Sequence, residues 1–163
     1  WLVRKSVPNW SVIVAGIVIA MIALGLVGYG LSGWGVGVAL LSVALLSTGS
    51  LLSWLRGDDR RARWQEMAIV GLAGLCVLMA GAYTTLQTGD WLVLAIAIAA
   101  IAVAAIAERV PVRRRPWFGN APSYLLLFFP FVAAGYVAAG LCAVLGYALA
   151  TLAISVEALR QKP

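Results

Sequence analysis

The chain alternates between long apolar runs and short polar or charged stretches. A helix needs about 20 apolar residues to cross a hydrocarbon core of about 30 Å, and the first four runs approach or exceed this length. The last run, over residues 121–159, would measure about 58 Å as one helix, so it must break. We expect the break within GYVAAG, Gly135 to Gly140. The pattern predicts six spans, over residues 10–31, 34–55, 65–86, 91–107, 121–136 and 140–159.

Composition agrees with this pattern. Of the 163 residues, 63% are hydrophobic and only 11% are charged. Soluble domains are about 45–50% apolar and about 25% charged, so the solvent for most of this chain is lipid. The spans use nearly the whole length, which leaves no room for a soluble domain. We therefore predict an all-α fold, a single six-span transmembrane bundle over residues 1–163.

The positive charges give the orientation. With six spans, all twelve lysines and arginines fall on one side of the membrane, and the other side carries a single charge, Asp90. The positive-inside rule makes the basic side cytoplasmic, so both termini are expected in the cytoplasm. Five spans would place the C-terminal cations outside. We predict a multi-pass integral protein of a prokaryotic inner (plasma) membrane.

Small residues indicate how the spans pack. Glycines recur in spans 1, 3 and 6, and span 4 reads AIAIAAIAVAAIA. Small side chains let helix backbones approach closely, which favours association where lipid removes the hydrophobic incentive. We expect span 4 to be surrounded by protein, and the chain to form a homo-oligomer or a complex with another membrane protein.

The chain is poor in residues that perform chemistry. It has no histidine, and no ionisable side chain lies at mid-span. Membrane catalysis and ion coupling normally need such groups, so we predict no catalytic residue, no metal site and no cofactor. Cys76 and Cys142 lie in apolar segments and are expected to act as small hydrophobic residues.

The layout resembles that of the CDP-alcohol phosphatidyltransferases. Their first span often follows a Pro-Asn pair, which Pro8 and Asn9 supply here in VPNWSV. The resemblance implies a six-span enzyme that transfers a phosphatidyl group from a CDP-linked donor to an alcohol. The family signature is D-x-x-D-G-x-x-A-R, eight residues, then G-x-x-x-D-x-x-x-D. It runs from the end of span 2 into span 3, and its carboxylates hold a divalent metal.

In this chain the signature has nearly vanished from LLSTGSLLSWLRGDDRRARWQEMAIVGLAG, residues 45–74. With Arg56 as the motif arginine, the aspartate positions hold Thr48, Leu51, Ile69 and Ala73, the glycine positions Leu52 and Gln65, and the alanine position Leu55. The pair Arg63–Trp64 matches one that the family often has. A shifted register keeps Asp58, Ala62 and Arg63 but loses the other three aspartates. The resemblance therefore implies a pseudoenzyme.

Two sets of residues are candidates for binding. A vestigial cleft would be lined by Ser47, Thr48, Ser50 and Gln65, unless these hydroxyls only bond to their own backbone or to a neighbouring helix. A phosphate or lipid-headgroup site would use Arg56, Arg60, Arg61, Arg63, Arg113, Arg114 and Arg115. Arginine matches phosphate geometry, although basic loops also serve to orient helices and to contact anionic lipid.

These observations favour a non-catalytic scaffold or accessory subunit of a membrane complex. Its expected partners are membrane lipids, above all anionic phospholipid, and another membrane protein. Nucleic acid is excluded because no soluble module presents the arginines. Two alternatives remain. One is an active phospholipid-synthesis transferase that uses Asp58, Asp59 and Glu66, and the other is a small lipid or solute transporter.

Overall fold

The structure is a computed structural model that describes residues 9–57, 59–109 and 121–160. Those residues form six α-helices and no strand. The helices are α1 (Asn9–Gly28), α2 (Ser32–Leu55), α3 (Asp59–Thr88), α4 (Trp91–Arg109), α5 (Ala121–Ala133) and α6 (Val137–Arg160). The prediction of an all-α fold is confirmed.

Four of the helices are long and apolar enough to cross a membrane. These four helices are α1, α2, α3 and α6. The apolar parts of α4 and α5 are shorter and cover Trp91–Ala107 and Ser123–Ala133. The chain is therefore an integral membrane protein. That all six helices cross the membrane, and that both termini are cytoplasmic, stay predictions.

The last apolar run breaks at Gly135, at the N-terminal edge of the stretch in which we expected the break. Gly135 has a φ of +83°, a conformation that glycine adopts without strain. Its N–H donates to the carbonyl of Val132 at 3.0 Å, and the N–H of Tyr136 donates to that of Phe131 at 2.8 Å. This pair of hydrogen bonds is a Schellman motif, which ends α5. Gly140, the other end of the expected stretch, lies inside α6.

The bundle is organised around α2 and α3. Helix α2 packs against α1, α3 and α5, and α3 also contacts α1, α4, α5 and α6. The core between them contains fully buried side chains such as Leu46, Cys76 and Phe128. The hydroxyl of Ser42 donates to the carbonyl of Gly16 at 2.7 Å and ties α2 to α1.

The expectation that span 4 is surrounded by protein is wrong within this chain. Helix α4 contacts α3 and α6 and buries one face, which includes Val93, Ala97 and Ala100. On its other face, Ile98 and Ile106 are both more than half exposed. Small side chains permit close packing on any face, but α4 lies at the edge of the bundle and has neighbours on one side only.

Candidate functional site

A polar contact joins the charged ends of α2 and α3. Gln65 is fully buried, and its Oε1 accepts a hydrogen bond from the hydroxyl of Ser53 at 3.4 Å. A Cβ on Gly49 would lie 3.0 Å from Nε2 of Gln65, so the amide lies directly against the backbone of α2. This Nε2 atom is buried and has no hydrogen-bond partner among the described residues. The glutamine therefore packs as a side chain of the helix interface, at the cost of an unsatisfied donor.

The other residues of the vestigial cleft do not share one surface. Ser50 is buried and Ser47 is half-buried. Thr48 is exposed, and its hydroxyl donates to the carbonyl of Ala44 at 2.8 Å, one turn earlier in the same helix. The hydroxyl of Thr48 therefore bonds to the backbone of its own helix, as hydroxyls in membrane helices often do. The cleft itself stays a prediction.

The described arginines of the predicted headgroup site cluster where α2 ends and α3 begins. Arg56, Arg60 and Arg63 are all exposed there. Arg61 lies within α3, but its side chain is outside the described part of the chain. Arg113, Arg114 and Arg115 lie outside the described residues altogether. The structure thus brings three of the seven arginines to one end of the bundle.

An apolar groove opens between α3, α4, α5 and α6. Its small lining residues are Ala73, Gly74, Ala100, Ala104 and Ala105. Val70, Val77, Ile101, Tyr124 and Val144 supply the larger side chains. We call this feature the α4 groove. The groove exists because its five small lining residues, on α3 and α4, have no side chain larger than a methyl group.

Tyr124 carries the one hydroxyl among the residues of the α4 groove. It is buried at the start of α5, and its ring meets that of Tyr147 on α6 with the centroids 5.5 Å apart and the planes at 80°. This edge-to-face geometry is favourable for aromatic pairs and fixes α5 against α6.

Arg63 follows the line of the groove along α3. Val70, Gly74 and Val77 line the groove, and Arg63 precedes Val70 by seven residues. Seven residues are nearly two full turns, so these side chains share one face of the helix, about 10 Å apart along its axis. The apolar groove thus has a cation on its own face, towards the charged end of α3.

Asp, Glu, Lys and Arg side chains are confined to the ends of the described helices. The charges of α3 all lie in its first eight residues, and those of α4 and α6 lie near their C-termini. Within residues 9–57, 59–109 and 121–160, no three His, Cys, Asp or Glu residues come together in a group that suits a metal ion. The residues that line the α4 groove are therefore uncharged, and they can pack against or bind an apolar molecule.

Sequence reasoning missed the α4 groove. The glycines of span 3 and the run AIAIAAIAVAAIA of span 4 predict contact surfaces, because a run of small residues looks the same whether a helix covers it or leaves it open. The useful signal was the combination of a small face on α4 with Gly74 on α3. Its meaning depends on which helix lies opposite.

Comparison of the chain with protein-family models, with curated protein sequences and with solved structures finds no match.

Proposed function

We propose that this protein is a non-catalytic scaffold or accessory subunit of a complex in a prokaryotic inner membrane, and that it binds anionic phospholipid. All six helices would span, with both termini in the cytoplasm. In this proposal the resemblance to the CDP-alcohol phosphatidyltransferases reflects a pseudoenzyme that has lost its metal-binding carboxylates. The observation that carries the scaffold role is the outer face of α6.

The outer face of α6 is lined with small residues that no other described helix covers. Exposed positions recur every three or four residues along it, at Ala139, Cys142, Gly146, Ala150 and Ala153. A Cβ built on Gly146 would meet no atom within 4 Å. Spacing of this kind lets a second helix approach closely in lipid. The face therefore suits a neighbouring membrane helix.

Gly140 on the same helix shows what a covered glycine looks like here. A Cβ on Gly140 would lie 2.9 Å from Cδ2 of Phe128 and 2.9 Å from Cβ of Phe131. Its missing side chain is explained by α5, which occupies the space. Gly146 has no such explanation in the part of the chain that the structure describes. A partner helix, from a second copy or from another protein, would supply one.

Lipid binding is supported by the basic end of the bundle. Arg56, Arg60 and Arg63 are exposed where α2 and α3 meet the loop. Guanidinium groups bind phosphate through two parallel hydrogen bonds, and basic segments near a membrane surface attract anionic lipid.

The scaffold role is testable through the native cysteines. Cys142 is exposed on the outer face of α6, whereas Cys76 is buried. Oxidative cross-linking in native membranes should capture an adduct through Cys142, either a dimer or a heteromer. The variant Cys142→Ala should abolish this adduct.

Two glycine variants sharpen the test. Gly146→Leu should abolish the adduct because it fills the approach surface. Gly25→Leu, at an exposed glycine of α1 that also has no atom within 4 Å, should leave it intact. Recovery of the wild-type protein from native membranes as a lone monomer, with no adduct, would refute the scaffold role.

A further inference from the structure

We propose that the α4 groove holds one acyl chain of an anionic phospholipid whose phosphate is bound by Arg63. This inference rests on the lipid-binding part of the proposed function and gives it a defined site. The site lies between α3, α4, α5 and α6, and no residue of the vestigial cleft lines it.

The groove has the chemistry and dimensions of an acyl-chain site. Its described lining has one hydroxyl, that of Tyr124, and otherwise presents hydrocarbon. Along α3 it runs from Val70 to Val77, about 10 Å, which is roughly two thirds of the ~15 Å hydrocarbon depth of one leaflet. A polar metabolite would lose its hydrogen bonds in such a lining, whereas an alkyl chain loses none.

The floor of the groove gives a chain more contact than the open bilayer does. Gly74, Ala104 and Ala105 form a recess between larger side chains, so an inserted chain touches protein on several sides. Lipid tails gain nothing from the hydrophobic effect when they move from bilayer to protein, so close packing decides retention. The recess therefore selects a slender, unbranched ligand.

The charge pattern indicates the lipid's headgroup. Arg63 shares the groove face of α3 and lies about 10 Å from Val70 towards the charged end. Next to it, Trp64 is half-exposed, as an indole at headgroup level would be. With a chain in the groove, the phosphate of the same lipid comes within reach of the exposed guanidinium. A phosphodiester with a net negative charge, such as phosphatidylglycerol, complements this site best.

Native mass spectrometry of the full chain tests the inference. The protein is extracted in a mild detergent, and equal amounts of phosphatidylglycerol and phosphatidylcholine with identical acyl chains are added. The wild type should retain one phosphatidylglycerol. Gly74→Leu should lower this retention about tenfold, because the leucine side chain would occupy the groove. The protein can accommodate this side chain, since a Cβ on Gly74 meets only Cγ2 of Ile101, at 3.8 Å.

Matched controls separate the groove from general effects. Gly71→Leu changes an exposed glycine on α3 that has no atom within 4 Å, and it should retain the lipid. On α4, Ala105→Leu should lower retention, whereas Ala102→Leu, at an exposed alanine outside the groove lining, should not. This second pair decides the question if Gly74→Leu does not fold.

The arginine is tested by its effect on selectivity. Arg63→Gln should remove the preference for phosphatidylglycerol over phosphatidylcholine, while Arg160→Gln, with the same loss of charge at the end of α6, should keep it. If the wild type retains lipid but neither groove variant lowers the amount retained, the groove assignment is overturned. The protein then binds lipid at another site. If the wild type retains no lipid, both the groove and the lipid-binding proposal fail. A groove filled by a second copy, seen as a dimer without lipid, also overturns the assignment.

Discussion

Replacing Gly35 by alanine should separate α1 from α2. Gly35 lies in α2, close against the backbone of α1. A Cβ there would lie 2.8 Å from the backbone nitrogen of Val27 and 2.9 Å from the carbonyl oxygen of Ala23, and would overlap Cγ2 of Val27. A side chain can rotate away, but the backbone atoms of a helix cannot. The whole of α1 must therefore move.

The size of the effect follows from the required movement. Carbon atoms pack at about 3.5–4.0 Å, so relief of these contacts needs a shift of roughly 0.5–1 Å. Such a shift removes a quarter to a half of the dispersion energy of each contact between α1 and α2. The residues at this interface include the fully buried Ala23, Val27, Val36 and Ala39. Overpacking costs about 1–3 kcal/mol, and the helix propensity of alanine returns at most about 1 kcal/mol. We expect a net loss of about 2 kcal/mol in the free energy of unfolding.

Reversible unfolding by SDS in mixed micelles measures this loss, with circular dichroism and tryptophan fluorescence as probes. Gly25→Ala is the matched control, because Gly25 is also a helical glycine but has no atom within 4 Å. It should be neutral or stabilising by at most about 1 kcal/mol. Equal unfolding midpoints for the two variants would refute the close crossing of α1 and α2.

Three further substitutions test other contacts by the same unfolding assay. Ser42→Ala removes the 2.7 Å hydrogen bond to Gly16 and should cost about 0.6–1.7 kcal/mol, as interhelical hydrogen bonds in membranes do. Gln65→Met relieves the unpartnered Nε2 but also removes the weak 3.4 Å hydrogen bond from Ser53, so these two effects oppose each other and stability should change by less than about 1 kcal/mol. Gly30→Ala should cost more than about 2 kcal/mol, because its φ is +84° and a Cβ would overlap the ring of Tyr83.

Two of these predictions have a control in the same chain. Thr48→Ala removes a hydroxyl that bonds only within its own helix and should be near neutral, unlike Ser42→Ala. Gly57→Ala has the same kind of φ, +75°, but no atom within 4 Å, so it isolates the backbone cost of Gly30→Ala. A loss of more than about 1 kcal/mol in Gln65→Met would contradict this reasoning, because the amide would then contribute more than its weak hydrogen bond with Ser53.

The candidate site shows where sequence reasoning stopped. It selected Gln65, Ser50 and Thr48 as one polar lining because they share a region of the chain. In the structure Thr48 is exposed and bonds within α2, while Gln65 is packed against Gly49. Helical spacing gives the relative angle of two side chains on one helix. It does not give the direction from which the next helix approaches.

The sequence by itself determined the class of protein and the number of helices. Runs of apolar residues must form helices in lipid because every backbone hydrogen bond has to be made internally, and charges mark where those helices end. Even the last break was predictable to within a few residues, since a chain of that length exceeds the membrane. Only the tertiary structure decided that α4 lies at the edge, that Gly140 is covered while Gly146 is open, and that Gly74 and Ala105 border a groove. Small residues are equally suited to a contact, a cavity or a lipid surface, so their meaning is set by the helix that packs opposite.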